Sequence, residues 1–278
     1  MSRFWKPNGS SSSRGDRAAE IGRLALDLAA VDPATVEAAV TRIESLLCSV
    51  EPEEYRLAVD ALCSLFYIDI ADKPELDDAL NRTADLLASQ GARVVPLLLR
   101  QMEASDIKSH LYLARALGRI GADALPRLRD TLATAEDPYT RSFVMYAIGK
   151  MSCPDVAVAI PEVLGGLMHP DKEVRDTAAR TLGRIATTVP AADLPPRLRG
   201  MMFEALVRAV RDPQAPVRAK AMRSLGKMAA AGLLDDAQTE ILAGAARAAL
   251  GETDEHEWDS AFIVRREAQE ALAACSLR

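Results

Sequence analysis

The sequence predicts an all-α protein built by stacking one helix–turn–helix unit, and three observations carry that expectation. A short phrase recurs four times, over His110 to Ile120, Arg141 to Met151, Arg175 to Ile185 and Arg218 to Met228. Each copy ends in aliphatic–Gly–basic–aliphatic, with the glycine at 118, 149, 183 and 226, and in three copies the residue eight before it is Arg. Self-similarity at a period of roughly 20–50 residues marks a repeat architecture. Prolines recur as well. The stretches Gly91 to Pro96 and Gly121 to Pro126 match, and Pro161 and Pro195-Pro196 stand at comparable points. Proline is tolerated in the first turn of a helix, where its missing N–H has no intrahelical partner, so these prolines open the first helix of each pair. Composition agrees: hydrophobic residues make up 49% but aromatics only 4%. An Ala- and Leu-rich chain favours closely packed helices over a β-sandwich.

In chain order, residues 1–17, with Pro7 and Ser10 to Ser13, read as a flexible polar arm. Phe4 and Trp5 in it leave open an untethered terminus, a short docking peptide or an arm that folds back onto the body. A helix is expected from Ala18 to Ala30. Asp32-Pro33 then supplies an N-cap and a first-turn proline for a helix reaching Val50. Glu51-Pro52 opens another, in which Ala61 to Leu65 aligns as a degenerate copy of the phrase, with Cys63 in place of glycine and Tyr55 in place of Arg. A helix over Pro74 to Ser89 closes this section. From residue 91 to 232 first and second helices alternate across turn signals at Ser105-Asp106, Asp137-Pro138, His169 to Asp171 and Asp212-Pro213. Leu234 to Asp236 caps a helix to about Leu250, and Ser260 to Arg265 leads into a last second helix ending at Ala274. The sections are thus the arm at 1–17, an acidic helical section at 18–90, repeats at 91–232, and a terminal capping repeat at 233–278.

Charge follows these sections. The net charge is −6, but residues 31–90 carry −9, residues 91–232 carry +7 and residues 233–278 carry −6. No run of 18 apolar residues suggests a membrane helix, and Met1 to Pro7 lacks the apolar stretch of a secretory signal. Four cysteines (48, 63, 153 and 275) show no Cys-x-x-Cys spacing and read as small hydrophobes in a reducing compartment. A cytoplasmic chain without membrane association is expected.

The repeats resemble HEAT repeats, and among them the short phycobilin-lyase-type HEAT-like form. The residues carrying the resemblance are His169 to Arg175 with Leu182-Gly183, and Asp212 to Arg218 with Leu225-Gly226. The resemblance covers residues 91–232, extends to 233–278 and is weak over 31–90. It implies a right-handed α-solenoid whose second helices line the concave groove. It also implies a scaffold, adaptor or assembly factor, although fold-level likeness alone does not license an activity.

Helical geometry separates two roles within the phrase. Advancing ~100° per residue from Arg175 brings Ala178, Ala179 and Leu182 within about 60° of it. Arg141, Arg175 and Arg218 therefore lie along the apolar face and need partners. The aspartates of the preceding turns, Asp137, Asp171 and Asp212, are the candidates. Arg180 and Arg184 fall at roughly 140° and 180° and face away. The equivalent pairs are Arg115 and Arg119, Tyr146 and Lys150, and Arg223 and Lys227. The degenerate copy has Asp60 and Ser64 there, and the last has Glu270 and Ala274.

Two readings of this stripe stand. Arg119, Lys150, Arg184 and Lys227 lie near helix C-termini, where a cation favours the macrodipole by ~0.3–1 kcal/mol. That account leaves out Arg115, Arg180 and Arg223. The other reading is a basic track that attracts an anionic partner.

A search for chemistry is sparse. His110 and His169 occupy repeat positions and read as structural, and His256 lies in the acidic stretch Glu252 to Asp259. His256-Glu257 is the one His–Glu pair, too few for the di-iron site of a HEAT-like hydroxylase. No phosphate loop, serine elbow or zinc spacing occurs, and no cofactor is expected. The function expected is a non-enzymatic scaffold binding a protein partner with an acidic segment along the track, with head-to-tail self-association as a further possibility. The alternative is a HEAT-like enzyme of the phycobilin-lyase or DNA-glycosylase kind. The flanking acidic blocks argue against strong nucleic-acid binding.

Overall fold

The structure, a computed structural model, describes residues 10–30, 32–48, 50–104, 107–253 and 258–276. Phe4 and Trp5, and His256 with Glu257, lie outside them. Among the described residues there are fourteen α-helices and no strand. The first six are α1 (Ser10–Leu28), α2 (Pro33–Leu47), α3 (Pro52–Ser64), α4 (Asp77–Ser89), α5 (Val95–Ala104) and α6 (Ile107–Ile120). The other eight are α7 (Leu125–Thr134), α8 (Pro138–Ile148), α9 (Ile160–Gly166), α10 (Lys172–Thr188), α11 (Pro196–Ala209), α12 (Ala215–Ala230), α13 (Asp236–Leu250) and α14 (Phe262–Cys275). No helix among the described residues is long and apolar enough to cross a membrane. They form two compact units that part within α6, after Ala116. That division does not follow the charge sections read from the sequence, because packing and not charge defines it.

In the first unit, α1 packs on α2 and α3, α2 on α4, and α3 on α5. Ile21, Val40, Ile43, Leu62, Leu65, Phe66 and Leu80 fill the space between them, and Phe66 stacks on Tyr112 at 5.2 Å. The unit begins earlier than the sequence suggests. Helix α1 starts at Ser10, inside the stretch expected to be an arm, since extending a helix from an already packed turn costs little. In the degenerate copy, Cys63 is buried at the glycine position. Tyr55 is buried at the arginine position, with the Arg93 guanidinium 3.6 Å from its ring centroid.

The second unit is an α-solenoid. Its first helices α7, α9, α11 and α13 pair with second helices α8, α10, α12 and α14, and the second helices stack in that order. The expected prolines open their helices: Pro126 in α7, Pro161 in α9 and Pro196 in α11. Asp137 caps α8, Asp171 caps α10, and Asp235 with Gln238 forms a capping box on α13, satisfying amide donors that a helix start leaves orphaned.

The recurring glycine now has a cause. A Cβ on Gly183 would lie 2.8 Å from the Ser224 Cβ and 3.0 Å from its Cα. A Cβ on Gly118 would lie 2.5 Å from the Lys150 Cβ, and one on Gly226 would lie 3.1 Å from the Ala271 Cα. At Gly183 and Gly226 the following second helix passes where a side chain would stand, and at Gly118 the residue just past α8 does. The buried hydroxyls at the crossings are satisfied: Thr181 Oγ1 donates to the Met145 carbonyl at 3.0 Å, and Ser224 Oγ to the Ala179 carbonyl at 2.7 Å.

Candidate functional site

Two sets of basic residues separate cleanly in the second unit. The first ties the stack. Arg175 donates from Nε to Asp212 Oδ2 at 2.7 Å and from Nη2 to Oδ1 at 3.1 Å. Its Nη1 reaches the His169 and Pro170 carbonyls at 2.9 and 2.7 Å. Arg218 repeats the arrangement, with Asp259 at 2.7 and 2.8 Å and the Asp212 and Pro213 carbonyls at 2.9 and 3.2 Å. The partner therefore differs from the expectation. The carboxylate comes from the turn of the next repeat, and the arginine's own turn supplies carbonyls. Capping alone does not decide this: Asp171 accepts the Glu173 and Val174 amides, but Asp212 accepts the Gln214 amide and Arg175 at once. Arg141 departs again, donating from Nε to the Ala135 carbonyl at 2.6 Å.

These pairs are well enclosed, with side-chain exposures of 13% and 8% for Arg175 and Asp212. Burial alone would raise the Asp212 and Asp259 carboxyls, but the arginine and backbone hydrogen bonds outweigh it and hold both below the usual carboxylate range.

The second set lines a cavity of about 410 Å³ formed by α8, α10 and α12 and the residues just after α8. Tyr146, Lys150, Arg180, Arg184, Arg223 and Lys227 of the sequence-read stripe all border it. Arg115 belongs to the first unit, where it bonds Asn81, and Arg119 is exposed at the end of α6 and does not line the cavity.

The cations are not equivalent. Arg223 donates a two-pronged bond to the buried Glu267, one prong at 2.7 Å, and Arg180 reaches Asp176 at 3.5 Å. Arg184 donates Nε to the Gly149 carbonyl at 3.3 Å, and the Lys150 ammonium lies 5.0 Å from the Tyr146 ring centroid. Among the described residues, no carboxylate pairs with Lys150, Arg184, Lys220 or Lys227.

The macrodipole account holds for Arg119 and Lys227, which occupy last turns. Arg184 stands a turn inside the end of α10, which continues to Thr188, and Lys150 directly follows the Gly149 C-cap of α8, so neither occupies a last turn.

Lys220 escapes the sequence reading because its position is not basic in the other copies. Its spacing to Arg223 and Lys227, at i, i+3 and i+7, could have found it. Burial first, then neighbouring arginines, depresses the pKa of both Lys220 and Lys227. Burial raises the Asp176 carboxyl despite Arg180 and Lys220 nearby. The cavity is thus a partly desolvated cluster of like charge, an arrangement that an incoming anion relieves.

A larger cavity of about 740 Å³ lies at α9 and α11, lined by Leu164, Leu167, Met168 and Met201 with the Arg175–Asp212 pair. Its titratable groups are already paired or single surface charges, and no catalytic arrangement is formed there. The His110 ring, in the first unit, bonds the Met102 carbonyl through Nε2 at 2.7 Å, and His169 Nδ1 accepts the Asp171 amide at 3.1 Å. Among the described residues, no group of three or more His, Cys, Asp or Glu side chains is arranged to hold a metal ion.

Comparison with known proteins agrees with this architecture. Residues 138–185 match the HEAT-like repeat family. They run from the start of α8 to the last turn of α10 and include Gly149 and Gly183. The fold is similar to that of two engineered proteins of known crystal structure. One shares 18% identity at a TM-score of 0.51, with 86% of this chain and 96% of the other covered. The second shares 20% identity at a TM-score of 0.53, with 93% and 63% covered. No curated protein matches the chain by sequence.

Proposed function

We propose that this chain, with its HEAT-like repeat at residues 138–185, is a non-enzymatic scaffold that binds a protein partner through an acidic segment laid in the basic cavity of α8, α10 and α12. One observation carries the reading: Lys150, Arg184, Lys220 and Lys227 converge on a single cavity while the nearby carboxylates, Asp176 and Glu267, are committed to Arg180 and to Arg223 with Arg266. A polypeptide carboxylate supplies the counter-charge that the fold does not. Three helices border the cavity, so an extended segment that crosses them meets all of its cations. Tyr146 offers a flat contact at its edge. Four free cysteines support a reducing, cytoplasmic setting.

The test uses a fluorescein-labelled, glutamate-rich peptide of about 15 residues, long enough to cross three helices at their usual 8–10 Å spacing. Reversing Lys220→Glu and Lys227→Glu together should weaken its capture by about 100-fold or more. Each lost charge pair in a partly desolvated site is worth over ~1.4 kcal/mol, or a factor of ten. Arg180 and Arg223 are poorer choices, because their reversal also breaks bonds inside the fold. Unchanged affinity in a variant that keeps its helicity and melting temperature removes the cavity as the binding site. Capture should also weaken as pH rises, and begin to do so below the ordinary lysine range, because both lysines lose their protons earlier than usual.

A further inference from the structure

The ladder of arginines has a third rung. Arg265 stands in α14 where Arg175 and Arg218 stand in α10 and α12. Its Nη1 reaches two backbone carbonyls at the same offsets, six and five residues back: Asp259 at 2.6 Å and Ser260 at 3.0 Å. In the first two rungs this anchoring aims the Nε–H and Nη2–H edge at the aspartate of the following turn. At Arg265 no carboxylate of the described residues takes that edge. The guanidinium instead lies 4.2 Å from the Trp258 ring centroid and 6.0 Å from that of Phe262. Stacking occupies the face of the group and leaves its in-plane donors available. Trp258 and Phe262 are 62% and 69% exposed, with Ile263 beside them. An arginine fork held in place beside exposed aromatic rings has the makeup of an interface hot spot.

We propose that this edge docks a partner protein that continues the stack: a helix-opening turn whose aspartate takes the Arg265 fork and whose apolar residues cover Trp258 and Phe262. The occupant's chemistry is read from the two filled rungs. Asp212 accepts the Gln214 amide at 2.8 Å and Asp259 the Ala261 amide at 2.9 Å. Each carboxylate is thus held in a turn by the amide two residues on while its remaining lone pairs meet the arginine. The surroundings narrow the choice further. Residues 233–278 carry a net −6, so a single aspartate on a neutral or basic helix suits this edge and a polyacidic segment does not. This site is therefore independent of the basic cavity and selects a different segment.

The probe is a helix-constrained peptide carrying residues 210–227 of this chain, with Asp212 as its rung residue, and a second peptide with Asp212→Asn. The full-length chain bearing Trp5→Phe leaves Trp258 as its remaining tryptophan, and its emission reports occupancy. The aspartate peptide should shift that emission, and the asparagine peptide should bind roughly tenfold or more weakly, as loss of a two-pronged charge-assisted bond requires. Lys220→Glu with Lys227→Glu should leave the binding unchanged. Arg265→Gln should abolish the preference for aspartate. Since that substitution also frees the 259–261 turn, the comparison of peptides on the unaltered fork decides the matter. Equal affinity of the two peptides, or no emission change up to about millimolar peptide, overturns the proposal. Self-association of the chain alone that disappears in Arg265→Gln would put a second copy in the partner's place and overturn it as stated.

Discussion

At the scale of single residues, the phrase repeated through this chain combines a packing rule with a charge rule. Gly183 is needed because the Ser224 backbone passes where a side chain would stand, whereas a Cβ on Gly200, in the interior of α11, would meet nothing within 4 Å. Gly183→Ala is therefore expected to destabilise the fold by about 1–3 kcal/mol, the usual cost of overpacking. Gly200→Ala should stabilise it by about 0.5–1 kcal/mol through helix propensity. Urea denaturation of the two variants checks both signs. The pattern of glycines is legible in the sequence, but which neighbour each one admits is not. Lys220 makes the same point for charge, since only the approach of α10 and α12 makes it a neighbour of Asp176 and Arg180.

At the scale of elements, each arginine rung fixes the start of one second helix to the turn before the next. Asp212→Asn removes the charge and one of the two acceptor oxygens from a mostly enclosed guanidinium, and should cost about 3 kcal/mol at neutral pH, the low end for breaking a buried pair. The pH dependence follows from the same bond. Because the folded pKa of Asp212 is depressed, its stabilisation is complete above the unfolded value of about 4 and is lost as pH falls through the folded value. Acid titration of the melting temperature should consequently show a shallower fall below about pH 4 in Asp212→Asn than in the parent. Sequence reasoning places these arginines on the apolar face and assigns them to turns. It points to the wrong aspartate because spacing along one segment does not show that the next repeat's turn comes within reach of the guanidinium.

For the whole molecule, the two units carry separate cores, and in stacked repeats a defect acts mainly on its neighbours. Cys63 is buried in the first unit, and burial drives its thiol pKa far upward, whereas Cys48 is exposed. A thiol reagent should label Cys48 rapidly in the native chain and Cys63 only on unfolding. In a Trp5→Phe background, Cys63 labelling reports the first unit and Trp258 emission the second. Gly183→Ala should lower the urea midpoint seen by Trp258 by more than that seen by Cys63. Equal shifts by both probes would mean that the units unfold as one.

By itself, the sequence determined that the chain is all-α, where each repeat's helices begin, which residues form the apolar faces, and that the middle is basic between acidic flanks. Those properties depend on residue type and on spacing along one helix, so they survive without knowledge of neighbours. The tertiary structure decided which aspartate each arginine holds, which cations remain unpaired in the cavity of α8, α10 and α12, and that the Arg265 fork meets no carboxylate among the described residues. Each of these depends on groups some 35–45 residues apart meeting across adjacent repeats, and helical spacing within one segment carries no record of such a meeting.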